Sequence, residues 1–379
     1  MCVFAKRIVA SMARGDIGRV AFWTLFLVWT AVGVGRLPAA EARALRGSVS
    51  RATVDRFSLK DLGGLKLRED TYATGLNSRG QVVGYACAKD GACHAFVYSG
   101  AKIRDLGAAG REYSSTECIS DSGDILGWSA DLDGPRIGFL WSAGKLQPLR
   151  CRWKGGVAYG LNCSGLVVGS MLAGAGARHA CLCSSGTTQD LGTLGGNRST
   201  ARAISEAALV VGDAALKNGD VHAFLWIKGT MTDLGTLGGR GSTAYAVNGL
   251  GQVAGEADSK DELPHAFLWS SGVMRDLGCI GGHPAGSTAY GVNARGQVVG
   301  QALFYVTGKR NPASHGMLWQ SGRAFDLNVL LDSSGLGWTV EVANGINDAG
   351  QIAATAYNVR SQHRRAVLLT PVACRRRRA

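Results

Sequence analysis

One phrase returns seven times along this chain, and that repetition constrains the fold more than any other feature. An apolar residue, then Asn or Ser, two variable residues, a Gly-Gln-like pair and a Val-Val-Gly-like close make up the phrase. It reads LNSRGQVVG (76–84), ISDSGDILG (119–127), LNCSGLVVG (161–169) and ISEAALVVG (204–212). It then reads VNGLGQVAG (247–255), VNARGQVVG (292–300) and INDAGQIAA (346–354). The Asn or Ser positions lie 43, 42, 43, 43, 45 and 54 residues apart.

Three further elements keep step with it. A His-Ala-Phe-Leu-Trp segment follows each turn: HAFVY (94–98), GFLW (138–141), HACLC (179–183), HAFLW (222–226 and 265–269), HGMLW (315–319) and RAVLL (365–369). A Ser-Gly or Lys-Gly turn leads to a strand ending in Asp-Leu, at 61, 105, 190, 233, 276 and 326, with Pro148-Leu149 as the divergent copy. The link Leu-Gly-Thr-Leu-Gly-Gly stands at 191–196 and 234–239 and is altered at 277–282.

An Asn followed by polar residues and Gly suits a tight turn between antiparallel strands. Each unit therefore reads as four short strands with no helical period. With 55 glycines in 379 residues a helical bundle is excluded. Four strands every 40–50 residues is the pattern of a propeller blade. The expected fold is all-β: a seven-bladed β-propeller of four-stranded antiparallel blades. Residues 53–62 form a fourth strand with no blade of their own, and as a clasp on the last unit they would close the ring. The alternative is an open β-repeat solenoid.

Residues 1–44 read as a signal peptide with a basic leader. Lys6, Arg7, Arg14 and Arg19 precede an uncharged run, 20–35, and small residues at 40, 42 and 44 offer a cleavage site. The run would span roughly 24 Å as a helix, short of a bilayer core. An uncleaved anchor is the alternative, and only then would a membrane be a partner. Cleavage would lower the net charge from +13 to +9 and leave a repeat domain over 45–372. The tail 373–379 holds four arginines without interleaved aromatics, so no nucleic-acid partner is expected.

Together, HAFLW, DLGTLGG and INxxGQVVG resemble the HAF repeat family of bacterial extracellular proteins, over about residues 53–370. The resemblance implies an exported protein and no biochemical role. Some members end in a Pro-Glu-Pro sorting segment with a hydrophobic helix, which this sequence lacks.

No catalytic motif emerges: no G-x-S-x-G, no HExxH and no phosphate loop. No metal and no cofactor is expected. His94, His179, His222, His265 and His315 share one repeat position, which reads as a strand-entry residue whose ring bonds nearby backbone. His283 and His363 fall in loops away from ligand-spaced partners. Trp141, Trp226, Trp269 and Trp319 likewise share one position and are expected to pack between blades. Cys87 and Cys93 bracket one loop and are a candidate disulfide, suited to an oxidising compartment. Cys181 and Cys183 replace the Phe and Trp of HAFLW and read as core fillers. The loops after the second strands vary most. The longest, 303–314, carries Phe304, Tyr305, Lys309 and Arg310, an aromatic and cationic set suited to an acidic glycan or a protein surface. The function expected is a non-catalytic binding or scaffold module, secreted or periplasmic, whose partner is an envelope protein or glycan. A propeller hydrolase or lyase acting on extracellular polysaccharide is the alternative.

Overall fold

The computed structural model describes residues 55–372 apart from 66–69, 89–90, 152, 154, 281–283 and 307–311. The proposed signal peptide, His283, Lys309, Arg310 and the basic tail lie outside the described residues. The described residues form one compact unit, a β-propeller arrangement of small antiparallel sheets whose helix is limited to the turn Leu327–Leu330 and two short 3-10 segments.

Every repeat unit but the last folds as four strands in chain order. In the unit spanning 238–276 they are Gly238–Val247, Val253–Ser259, Pro264–Ser270 and Val273–Asp276, each pairing with the next. The repeated phrase is the first hairpin: Asn248 N–H donates to Gln252 O at 3.1 Å, and Gly251 N–H donates back to Asn248 O. Gly251 sits at φ +77°, a conformation that costs glycine no steric strain. In ISEAALVVG the same place is held by Ala208 at φ +58°.

Five sheets have four strands, and one has eight. The structure thus departs from seven separate sheets at one place. The units 195–233 and 238–276 each keep their four antiparallel strands but share one sheet through a single parallel pair, Val221 with Gly241. Glycine at 241 lets two backbones approach that closely.

The last sheet contains the clasp. Arg56–Asp61 pairs antiparallel with His363–Val372, Ser58 opposite Thr370, and Phe57 is buried in the core of that unit. The first strand of every unit lies against the first strand of the next, and Trp338–Ile346 of the last lies against Asp70–Leu76 of the first.

The core lies between units. Val210 and Val211 are adjacent and therefore face opposite sides of their strand. Val210 packs with Val168, Ala180 and Leu191 of the preceding unit, and Val211 with Ala244, Val253 and Phe267 of the following one. This two-sided burial explains an uninterrupted Val-Val where an exposed sheet would alternate. The glycine after it is a matter of space. A Cβ on Gly84, Gly212, Gly255 or Gly300 would stand 1.9–2.0 Å from a first-strand carbonyl oxygen. Trp226 and Trp319 are buried in these inter-unit cores, with Trp141 and Trp269 half-buried beside them.

Candidate functional site

The repeated polar residues form one joint between consecutive units. His94, His179, His222, His265 and His315 each set Nδ1 2.7–3.0 Å from the Asp eleven residues on: Asp105, Asp190, Asp233, Asp276 and Asp326. These rings meet carboxylates, which corrects the expectation of a backbone partner. His363, expected in a loop, begins a strand and meets Asp70 at 2.9 Å. In four of the units Oδ1 of the same Asp accepts the N–H of the glycine two residues on, Gly107, Gly192, Gly235 or Gly278. The carbonyl of that glycine accepts a serine hydroxyl from the next unit, Ser114, Ser199, Ser242 or Ser287. Each serine Oγ in turn accepts the N–H of the Ala in His-Ala-Phe, at 2.8–2.9 Å.

The last joint repeats this with parts from both chain ends. Thr71 Oγ1 accepts Ala366 N–H and donates to Gly63 O, while Asp61 Oδ1 caps Gly63 N–H. Ser, His and Asp therefore lie together in unit after unit, yet the serine proton is spent on a carbonyl. A nucleophile needs its base at that hydroxyl. These are structural joints.

A second belt runs through the turns. Asn77 Nδ2 donates to Ser120 O, Asn162 to Ser205 O, Asn248 to Asn293 O, Asn293 to Asn347 O, and Asn347 back to Asn77 O, all at 2.9–3.2 Å. Serine at 120 and 205 is too short to donate across. Beside Ser120, the N–H of Ser122 reaches Cys163 Sγ at 3.0 Å instead.

The site that sequence reasoning missed is a third ring, set by β-bulges. In all seven units the register between first and second strands shifts by one residue, leaving Thr74, Glu117, Tyr159, Arg202, Tyr245, Tyr290 and Asn344 as the extra residue. A bulge re-aims one side chain out of the ladder. Because first strands neighbour one another, Arg202, Tyr245 and Tyr290 meet from unit to unit, and Thr74 meets the residue before the next bulge. Thr74 and Thr116 hydroxyls lie 2.7 Å apart, the Arg202 guanidinium stands 5.4 Å over the Tyr245 ring, and the Tyr245 and Tyr290 rings are 5.6 Å apart.

Polar and aromatic residues of the first and second strands pair around these positions. Arg202 pairs with Asp213, both side chains about five-sixths buried. Burial disfavours the guanidinium charge, but Asp213 outweighs it and holds Arg202 above its ordinary range. Tyr245 and Thr288 hydroxyls donate to the two oxygens of Glu256 at 2.8 and 2.7 Å. Burial nonetheless pushes the Glu256 carboxyl up, against those bonds and Arg202. Gln301 donates to the Tyr290 hydroxyl. Arg364 grips Glu341 with two nitrogens, at 2.8 and 3.1 Å, and burial raises Glu341 too. Tyr72 stacks on Tyr85 at 4.9 Å, and burial pushes both phenols upward.

Of the loop residues expected to bind, Phe304 is buried edge-on to His315 at 4.8 Å, and Tyr305 is exposed. Cys87 and Cys93 form a disulfide across facing strand ends. Cys183 corrects its core-filler reading by pairing with Cys151, while Cys181 is buried and its thiol is pushed up to about 12 by that burial. Asp131 pairs with Arg111. Among the described residues no cluster of three metal-binding side chains occurs, and no helix is long and apolar enough to cross a membrane.

No family model and no curated protein matches the chain. Among solved structures it is similar to a TolB described as putative from Agrobacterium tumefaciens, at 11% identity and TM-score 0.43, covering 59% of this chain and 89% of that one. It is also similar to a gluconolactonase from Xanthomonas campestris, at 12% identity and TM-score 0.42, covering 90% and 96%. A third is AofleA from Arthrobotrys oligospora, at 10% identity and TM-score 0.39, covering 74% and 90%. At such identities no function passes from these structures to this chain.

Proposed function

We propose that the protein is an exported, seven-bladed β-propeller of the HAF-repeat type that serves as a non-catalytic binding module outside the cytoplasm. Seven blades follow if the eight-stranded sheet is counted as two, which the single parallel pair between its halves supports. The observation that carries the binding role is a division of labour within the repeat. Its recurrent His, Asp, Ser and Asn side chains and Gly backbone are committed to joints, while the bulge position holds five different residues across the seven units, flanked by Ala and Ala or Gly in six of them.

The hydrolase or lyase reading requires carboxylates free to move protons. Asp213, Glu256 and Glu341 are each held by neighbouring side chains. Two disulfides suit an oxidising compartment.

Intact-mass measurement of protein from a fractionated bacterial host tests the export half. The expected result is a form starting near residue 43 or 45, outside the cytoplasm, that gains the mass of four hydrogens on reduction. A full-length cytoplasmic form with reduced cysteines contradicts it.

A further inference from the structure

We infer that residues 327–335 are a latch on the clasp strand, a strap that sets how often the ring opens. The sequence marks the segment by its length. Asp326 stands 21 residues before Asn347, whereas Asp105, Asp190 and Asp233 each stand 15 before the Ser or Asn of the next turn. The Gly that follows Asp-Leu in those units is Asn328 here, and Asp326 Oδ1 caps its N–H at 2.8 Å. The chain then makes one helical turn, Leu327–Leu330, and meets the outer edge of Arg56–Asp61 before the next first strand begins at Trp338.

Backbone, side chain and core all tie the strap to that edge. Leu331 forms a parallel bridge with Phe57, and Asp332 N–H donates to Phe57 O at 2.9 Å. Leu59 N–H donates to Ser334 Oγ at 2.7 Å, and Arg56 Nη2 donates to Leu331 O at 2.6 Å. Asp332 Oδ1 accepts both the N–H and the hydroxyl of Ser334. With its one proton committed there, Ser334 Oγ can serve Leu59 only as an acceptor. Leu327, Leu330 and Leu331 are buried with Phe57 and Leu59 in one core.

The covered edge is the one with most to lose. An outermost strand presents a row of unpaired N–H and C=O groups to which another chain can add. Among the described residues no other fourth strand is bridged on that side. Each of the others follows its third strand by a short turn, so a frayed strand is returned locally. Ser58 lies opposite Thr370, 312 residues on, and re-forming a contact across so long a loop costs the most entropy. The strap supplies the hold that connectivity does not.

Amide hydrogen exchange by NMR on the full chain tests the latch, read at Ser58, Lys60 and Leu62. Amides of successive strand residues point to opposite sides, so with Leu59 facing the strap these three face His363–Val372. Leu62 N–H accordingly donates to Ala366 O at 3.1 Å. They report release of the clasp, not loss of the strap's own bond. Leu331→Ala should speed exchange at all three about 30-fold. Ser334→Ala, an exposed position that guards against a folding defect, should speed it about fivefold. Amides of Val253–Ser259, in another unit, should keep the parent's rates in both variants. Acceleration confined to Leu59, or none at all, overturns the proposal, because the strap then covers the edge without holding the strand. Equal acceleration at Val253–Ser259 overturns it too, since the substitutions then loosen the whole molecule.

Discussion

Glu256 shows how the polar network around the bulges trades stability for order. Its two oxygens position Tyr245 and Thr288, yet burial raises its carboxyl above the ordinary glutamate range. The folded state then holds the Glu256 proton more tightly than the unfolded state does. Its stabilising contribution is complete below the unfolded value, roughly pH 4.3, and is lost as pH rises through the folded one. Glu256→Gln removes that loss. The melting-temperature advantage of Glu256→Gln over the parent should therefore be largest at neutral pH and shrink on acidification towards pH 4. An advantage that grows on acidification contradicts the raised carboxyl. At this scale the sequence was partly legible. The constant eleven-residue interval from His to Asp was present in five units, and it encodes the His–carboxylate hydrogen bonds that the structure reveals. The ring was harder to read. Its signal is one changing residue between Ala and Ala or Gly in six of the seven units, and the bulge that turns it out of the ladder depends on strand register.

Hairpins were the most legible elements, because a turn of Asn, polar residues and Gly is closed by bonds only four residues apart. What escaped was contact between elements. Strand alternation puts Cys181 and Cys183 on one face, but only the path of the link after residue 148 brings Cys151 to Cys183, with Cα atoms 5.8 Å apart. The merging of the units 195–233 and 238–276 was hidden likewise, since one backbone pair leaves no mark on composition. The two disulfides should differ in worth. Cys87–Cys93 spans a sequence separation of 6 and Cys151–Cys183 one of 32. Loop-closure entropy then assigns about 2 kcal/mol to the first and about 3–4 kcal/mol to the second. Thermal melts of Cys87→Ala/Cys93→Ala and Cys151→Ala/Cys183→Ala should show the larger drop in the second pair, and the reverse order contradicts the assignment.

For the molecule as a whole, the account turns on closure. Repeated joints explain why one unit follows another, but an open solenoid could use the same joints. Closure needs the two chain ends to meet, which the chain signals by placing an Asp-Leu-Gly at 61–63 before any complete unit. In the structure Asp61, Gly63, Thr71 and Ala366 complete the last joint, and Asn347 reaches Asn77. The seven bulged first strands form a closed ring only if that closure holds. The direct measurement is peptide mapping of Ser58→Cys/Thr370→Cys after mild oxidation, since these residues face each other across the clasp. Opposed antiparallel residues lie within disulfide range. The account predicts an intrachain disulfide between the two introduced cysteines in the folded monomer. Two free thiols at these positions, or links only between chains, would mean that the ends do not meet and the ring is open.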